Sequence, residues 1–172
     1  MTLAVTDLGR PGTGAFRYGG VLLAVGQLLV VAGVVGLARA GIAGTGWLAK
    51  LGLPAAGVGC LLICVAQLVM LFSVDVGEAI IGTGTPLTGL GMILAGAGVL
   101  RAGRWRGWRR FVPLACGLYV FVVLYPAEAL TGAVSYPAIA GWYACWLLLG
   151  VALLDTEADW VTLPAMPGTG DG

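Results

Sequence analysis

The chain reads as an all-α integral membrane bundle of five transmembrane helices. Three observations predict this. Of its 172 residues, 59% are hydrophobic and only 10% are charged, where a soluble domain carries roughly 25%. Mean hydropathy is +0.99. The apolar residues also fall into five runs separated by short segments rich in Gly, Pro and charge. Water cannot be the solvent for most of such a surface, and helices satisfy their own backbone hydrogen bonds in lipid.

The first span is expected over about 18–38, some 31 Å of helix, which matches the hydrocarbon core. Residues 1–17, marked by Pro11, Gly12 and Gly14, read as a flexible tail. A cleaved signal peptide ending at Ala38-Arg39-Ala40 is the competing reading. The run is longer than a signal peptide's apolar region. Pro54 is expected in the first turn of the second span, about 54–74, where its missing N–H costs nothing. The segment from Gly82 to Pro86 reads as a turn, N-cap and helix start, so the third span is placed at about 86–100. The fourth is expected over about 111–125, ended by Pro126, and the fifth over about 137–154. These make a transmembrane domain of residues 18–154, followed by a flexible acidic tail, 155–172.

Arg101–Arg110 reads RAGRWRGWRR. Arg101, Arg104, Arg106, Arg109 and Arg110 fix topology, because basic residues favour the cytoplasmic side. With five spans this loop, Arg39, Lys50 and the C-terminus share one side, and Arg10 and Arg17 lie on the other. The N-terminus is therefore expected outside and the C-terminus in the cytoplasm. Trp105 and Trp108 fit an interfacial belt at the inner face. The same arginines are candidates for contact with anionic lipid.

An internal repeat is visible. Gly36–Gly41 (GLARAG) closes span one and Gly98–Gly103 (GVLRAG) closes span three. Each is followed by Trp, basic residues and a Pro. Two parallel helical hairpins plus one added helix would give this pattern; short matches in a Gly/Ala-rich chain also arise by chance.

Three groups of polar residues are candidate sites. Gln27 and Gln67 fall at similar distances from the outer ends of adjacent antiparallel spans, so a hydrogen bond between them is expected, structural rather than catalytic. Asp75, Glu78 and Glu128 lie at the outer ends of spans two and four. They are the candidate ion-linked or functional group, set against the simpler reading as solvated loop carboxylates. Cys60, Cys64, Cys116 and Cys145 fall within spans, where a thiol acts as a small apolar residue. Span three adds glycines in small-xxx-small spacings with Ala95 and Val99, which allow close packing.

No histidine is present, and with it go the usual neutral-pH base and the commonest metal ligand. No catalytic residue, metal site or cofactor is expected, and nothing in the charge balance points to nucleic acid. The GVLRAG end of span three, the Arg/Trp loop and Phe111–Tyr119 (FVPLACGLY) resemble the small polytopic membrane proteins of high-GC Gram-positive bacteria, for which no activity is assigned. Eight of the nine basic residues are Arg, in keeping with such a source. The resemblance implies a bacterial plasma membrane. The functional expectation is a non-enzymatic accessory or interaction subunit, with a membrane-protein partner or a second copy. The alternative is a small oligomeric transporter or channel using the outer carboxylates.

Overall fold

A computed structural model describes the backbone of residues 14–131 and 135–161, and the side chains of residues 18–130 and 135–155. Among the described residues every element is helical. The helices are α1 (Gly14–Arg39), α2 (Trp47–Val69), α3 (Val74–Ala102), α4 (Val112–Tyr119), α5 (Tyr125–Thr131) and α6 (Tyr136–Val161). A 3₁₀ turn (Arg109–Phe111) leads into α4, and a π-helical segment (Val120–Leu124) joins α4 to α5. Five stretches are long and apolar enough to cross a membrane: Tyr18–Arg39, Trp47–Val69, Val74–Ala102, Arg109–Leu130 and Tyr136–Asp155.

The five-helix count agrees with the sequence; several boundaries do not, and the three prolines account for most of the difference. α2 begins at Trp47, so Pro54 is inside the helix. α3 begins at Val74, so Gly82–Pro86 is helix interior and not a turn. The third span is therefore 29 residues long. Proline removes a hydrogen bond and crowds the preceding turn, yet membrane helices tolerate it when neighbouring groups compensate. Thr83 Oγ1 donates to Ala79 O at 3.3 Å and Thr88 Oγ1 to Gly84 O at 2.9 Å on either side of Pro86, though neither reaches the Gly82 carbonyl that the proline leaves without its helical donor. At Pro126 the helix widens instead. Tyr125 N donates to Val120 O, a π-type bond, and the chain stays helical to Thr131. α6 likewise continues past Asp155 to Val161. Residues 1–13 and 162–172 of the two expected tails lie outside the described residues, as do the side chains of Arg10 and Arg17.

The helices pack as a closed ring: α1 on α2, α2 on α3, α3 on the fourth span, that span on α6, and α6 back on α1. The tightest seam is α2–α3, and its cause is a heptad of small residues. Buried positions in α2 fall at Ala49, Gly52, Ala56, Gly59, Ile63 and Ala66, in steps of three and four. In α3 glycines recur every seven residues at Gly77, Gly84, Gly91 and Gly98, with Thr88 and Ala95 between them, and all six are buried. A repeat of 3.5 residues keeps one seam facing a partner. Because the seam is Gly and Ala, the backbones nearly touch. A Cβ at Gly52 would stand 2.5 Å from Ala95 N, and one at Gly91 would meet the Ala56 backbone. Close packing of this kind holds helices together even where lipid removes the hydrophobic driving force between them.

The opposite flank of α3 is built the same way. A Cβ at Gly96 would stand 2.5 Å from Leu114 N, and one at Gly117 would stand 2.6 Å from Gly89 O. The helix is clamped on both sides by glycine contacts. α6 closes the ring with aromatics. Trp146 packs against Gly33 of α1, Tyr143 against Gly26, and Trp142 meets Trp146 edge-on at 6.0 Å between centroids. The core also holds Leu37, Met92, Val99, Val120 and Leu149, each fully buried. Large apolar side chains such as Leu22, Leu29, Val122 and Leu147 stand exposed around the outside, as a lipid-facing surface would require.

Candidate functional site

Three places hold the polar chemistry of the molecule: its acidic end, the middle of the ring, and its basic end.

At the acidic end, Asp75 lies in the first turn of α3 and Glu78 one turn further. Glu128 lies in α5. All three are exposed. The register of α3 against the fourth span, Gly89 on Val120 and Gly96 on Leu114, puts Glu128 level with residue 82. Glu78 is then about four residues, roughly 6 Å, further along the axis. The structure brings the carboxylates to the same end on neighbouring spans. Among the described residues no hydrogen bond or ion pair holds any of them. Asp75 stands about 40 Å along α3 from Ala102, more than the roughly 30 Å of a hydrocarbon core.

In the middle of the ring the expected Gln27–Gln67 pair is absent. Gln27 is 0% exposed and its Nε2 donates to Cys60 O at 3.4 Å. Cys64 Sγ faces Ala24 O at 3.9 Å, and Gly20 lies opposite the Gln67 backbone. The α1–α2 register therefore pairs 27 with 60 and 20 with 67, leaving the two glutamines about 10 Å apart along the axis. A second span running to residue 74 would bring the two glutamines to one level. The helix ends at Val69, so Gln67 is in its last turn and only half-buried. If the glutamines are independent, Gln27→Leu and Gln67→Leu should have additive effects on stability to within about 0.5 kcal/mol. Thermal unfolding of the two single variants and the double variant checks this; clear non-additivity would restore the pair.

Sequence reasoning missed the company Gln27 keeps. Thr88 on α3 is buried and its Oγ1 lies 3.8 Å from Cys60 Sγ. Gln27 Oε1, Trp142 Nε1 and Trp146 Nε1 are buried without a hydrogen-bond partner in the structure. The register of α1 against α6, Gly26 on Tyr143 and Gly36 on Leu153, puts these groups at one level. The available signal was Trp142 and Trp146 four apart, hence on one helix face. All four cysteines are free, Cys60 and Cys116 buried and Cys64 and Cys145 half-buried.

The basic end is more ordered than a topology signal requires. Gly41 and Gly44 in the first loop, and Gly103 and Gly107 in the second, all have φ between 63° and 75°. Those left-handed turns, open to glycine without strain, fold each loop back over its helix ends. Gly103 caps α3 by donating to Val99 O. Arg104 reaches from the second loop to the first, its Nη1 2.7 Å from Gly41 O. Arg109 pairs with Asp155 of α6 at 3.5 Å. Arg110 lies 4.6 Å over the Phe111 ring. Trp105, expected in an interfacial belt, is instead 4% exposed and part of the core, since the turns at Gly103 and Gly107 tuck it inward. The exposed tryptophans at this end are Trp108 and Trp47, 50% and 60% exposed. The two GlyXaaXaaArgAlaGly loops thus share left-handed glycines at Gly41 and Gly103, and an exposed tryptophan where the next span begins.

Among the described residues no three His, Cys, Asp or Glu side chains gather as a metal cage. No family model, no curated protein and no solved structure matches this chain.

Proposed function

We propose that this chain is a multi-pass bacterial plasma-membrane protein, N-terminus outside and C-terminus cytoplasmic, acting as a non-enzymatic accessory or interaction subunit. One observation carries the reading. Every charged side chain among the described residues stands exposed or half-buried at one end of the ring or the other, while the interior is filled by small, apolar and neutral polar groups. Charged residues inside a bundle commonly mark proton relays and ion pathways, and among the described residues none stands there. A packed bundle with a lipid-facing exterior instead suits assembly with another membrane protein. The two similar loops support a parallel repeat of spans one–two and three–four, with α6 as the added helix that closes the ring. In-membrane crosslinking read by mass spectrometry tests the role. A stoichiometric partner of different sequence is the expected result.

The second reading, a small oligomeric transporter or channel, is favoured by the three unpartnered polar atoms of Gln27, Trp142 and Trp146 in the ring interior. Crosslinks to further copies of this chain alone would favour it over the first.

A further inference from the structure

A cleft of about 240 Å³ opens at the basic end, between the first loop and the last turn of α3. Its floor is apolar and includes Ala43, Leu48 and Gly98. Arg101 and the loop segment Gly44-Thr45-Gly46 form its rim, and Trp47 stands at one side. The volume is several times the roughly 30 Å³ that one water occupies in the liquid, enough for a phosphate group and its first substituents.

Among the described residues the charged groups nearest this cleft are of one sign. Arg101 lines it, and Lys50 lies one helical turn beyond Gly46. Among the described residues neither side chain makes a hydrogen bond or ion pair with the protein; the Lys50 backbone N–H donates to Gly46 O at 3.1 Å. Elsewhere at this end three arginines are engaged, Arg104 by Gly41 O, Arg109 by Asp155 and Arg110 by Phe111, while Arg39 and Arg106 stand exposed and do not line the cleft. The one acid described here, Asp155, is held by Arg109. Gly46 caps α2 without a side-chain hydrogen bond, so the first N–H groups of the helix have no side-chain acceptor. The cleft therefore offers a guanidinium and backbone donors above an apolar floor, beside an exposed tryptophan of the kind that sits at head-group level.

We propose that this cleft binds the phosphate of an anionic phospholipid head group, with Arg101 as its principal charge and the Trp47 ring beside the glycerol. Guanidinium and backbone N–H groups together suit a phosphodiester, and the apolar floor suits the start of an acyl chain. A soluble phosphate shares the head group's chemistry but has no use for that floor. The proposal rests on the membrane reading above; binding to purified protein, unlike crosslinking in the cell, does not depend on which partner the bundle has.

The test uses the full chain in a neutral detergent, with thermal unfolding followed as phosphatidylglycerol or inorganic phosphate is added. Phosphatidylglycerol should raise the apparent Tm saturably. Arg101→Gln should weaken that response at least about tenfold, while Arg106→Gln, an exposed arginine outside the cleft, should leave it unchanged. Should Arg101→Gln fold poorly, Thr45→Glu sets a carboxylate at the rim with Arg101 retained, and should abolish the response equally. A response to inorganic phosphate alone, lost in Arg101→Gln, would keep the anion site and overturn its assignment to lipid. Equal loss in Arg101→Gln and Arg106→Gln, or no response to either ligand, would overturn the site.

Discussion

Gly91→Leu is expected to abolish the native bundle. A Cβ at this position meets the Ala56 backbone, and Gly52 O lies 2.8 Å from it. Backbone cannot swing aside as a flexible side chain can. Inserting bulk into a packed core costs typically about 1–3 kcal/mol, and here the whole α2–α3 seam must open to admit a leucine. Gly59→Leu should behave alike, since its Cβ would lie 2.5 Å from Thr88 N. Gly57 and Gly150 have nothing within 4 Å of the added carbon. Gly57→Ala and Gly150→Ala should be neutral or stabilising by up to about 1 kcal/mol, the helix-propensity gain. Size-exclusion profiles and thermal unfolding in detergent separate the two sets. If all four variants behave alike, the glycine seam is not what holds α2 to α3.

Trp146→Ala is the second large effect. Trp146 fills the junction of α6 with α1, stacked on Gly33 and edge-on to Trp142. Truncating a buried tryptophan costs about 3–5 kcal/mol, because the cavity only partly collapses. The facing residue on α1 is a glycine, which has no side chain to move in. Trp146→Phe, which keeps most of the ring contact and removes the buried, unpartnered N–H, should cost much less than Trp146→Ala. A Trp146→Phe variant as unstable as Trp146→Ala would show that the N–H has a partner and that polarity, not packing, dominates at this junction.

The five long apolar helices were legible in the sequence because each apolar run reaches the roughly 20-residue length of a helix that crosses a bilayer. The basic loop was legible because charge is so rare in this chain. Helix ends were less so. Pro54, Pro86 and Pro126 each read as a boundary, yet Pro54 and Pro86 lie inside helices and the chain passes Pro126 through a π-helical segment. A better signal was present in the glycines at 77, 84, 91 and 98. Their seven-residue period runs unbroken across the supposed turn at Gly82–Pro86, and a period is harder to obtain by chance than a lone proline. The end of α2 had no such signal. Met70, Leu71 and Phe72 continue the apolar run although the helix has ended, and this shifted Gln67 out of its true register. Asp75 and Glu78 lie in the first turns of α3 and Glu128 in α5, the segments where charge interrupts the apolar runs. The neutral cluster around Gln27 was invisible because it is assembled by ring closure between α1 and α6, more than a hundred residues apart.

In the proposed arrangement the bundle spans a membrane five times, with its basic and acidic ends on opposite sides. Single cysteines test it in a background where Cys60, Cys64, Cys116 and Cys145 are replaced by Ala. Arg106 and Glu128 are suitable sites, both exposed and at opposite ends; Gly107 is avoided because its φ of 63° would strain a cysteine. A membrane-impermeant maleimide applied to intact cells should label Glu128→Cys, and should reach Arg106→Cys only after the membrane is permeabilised. Labelling of both positions from outside would contradict the five-span account.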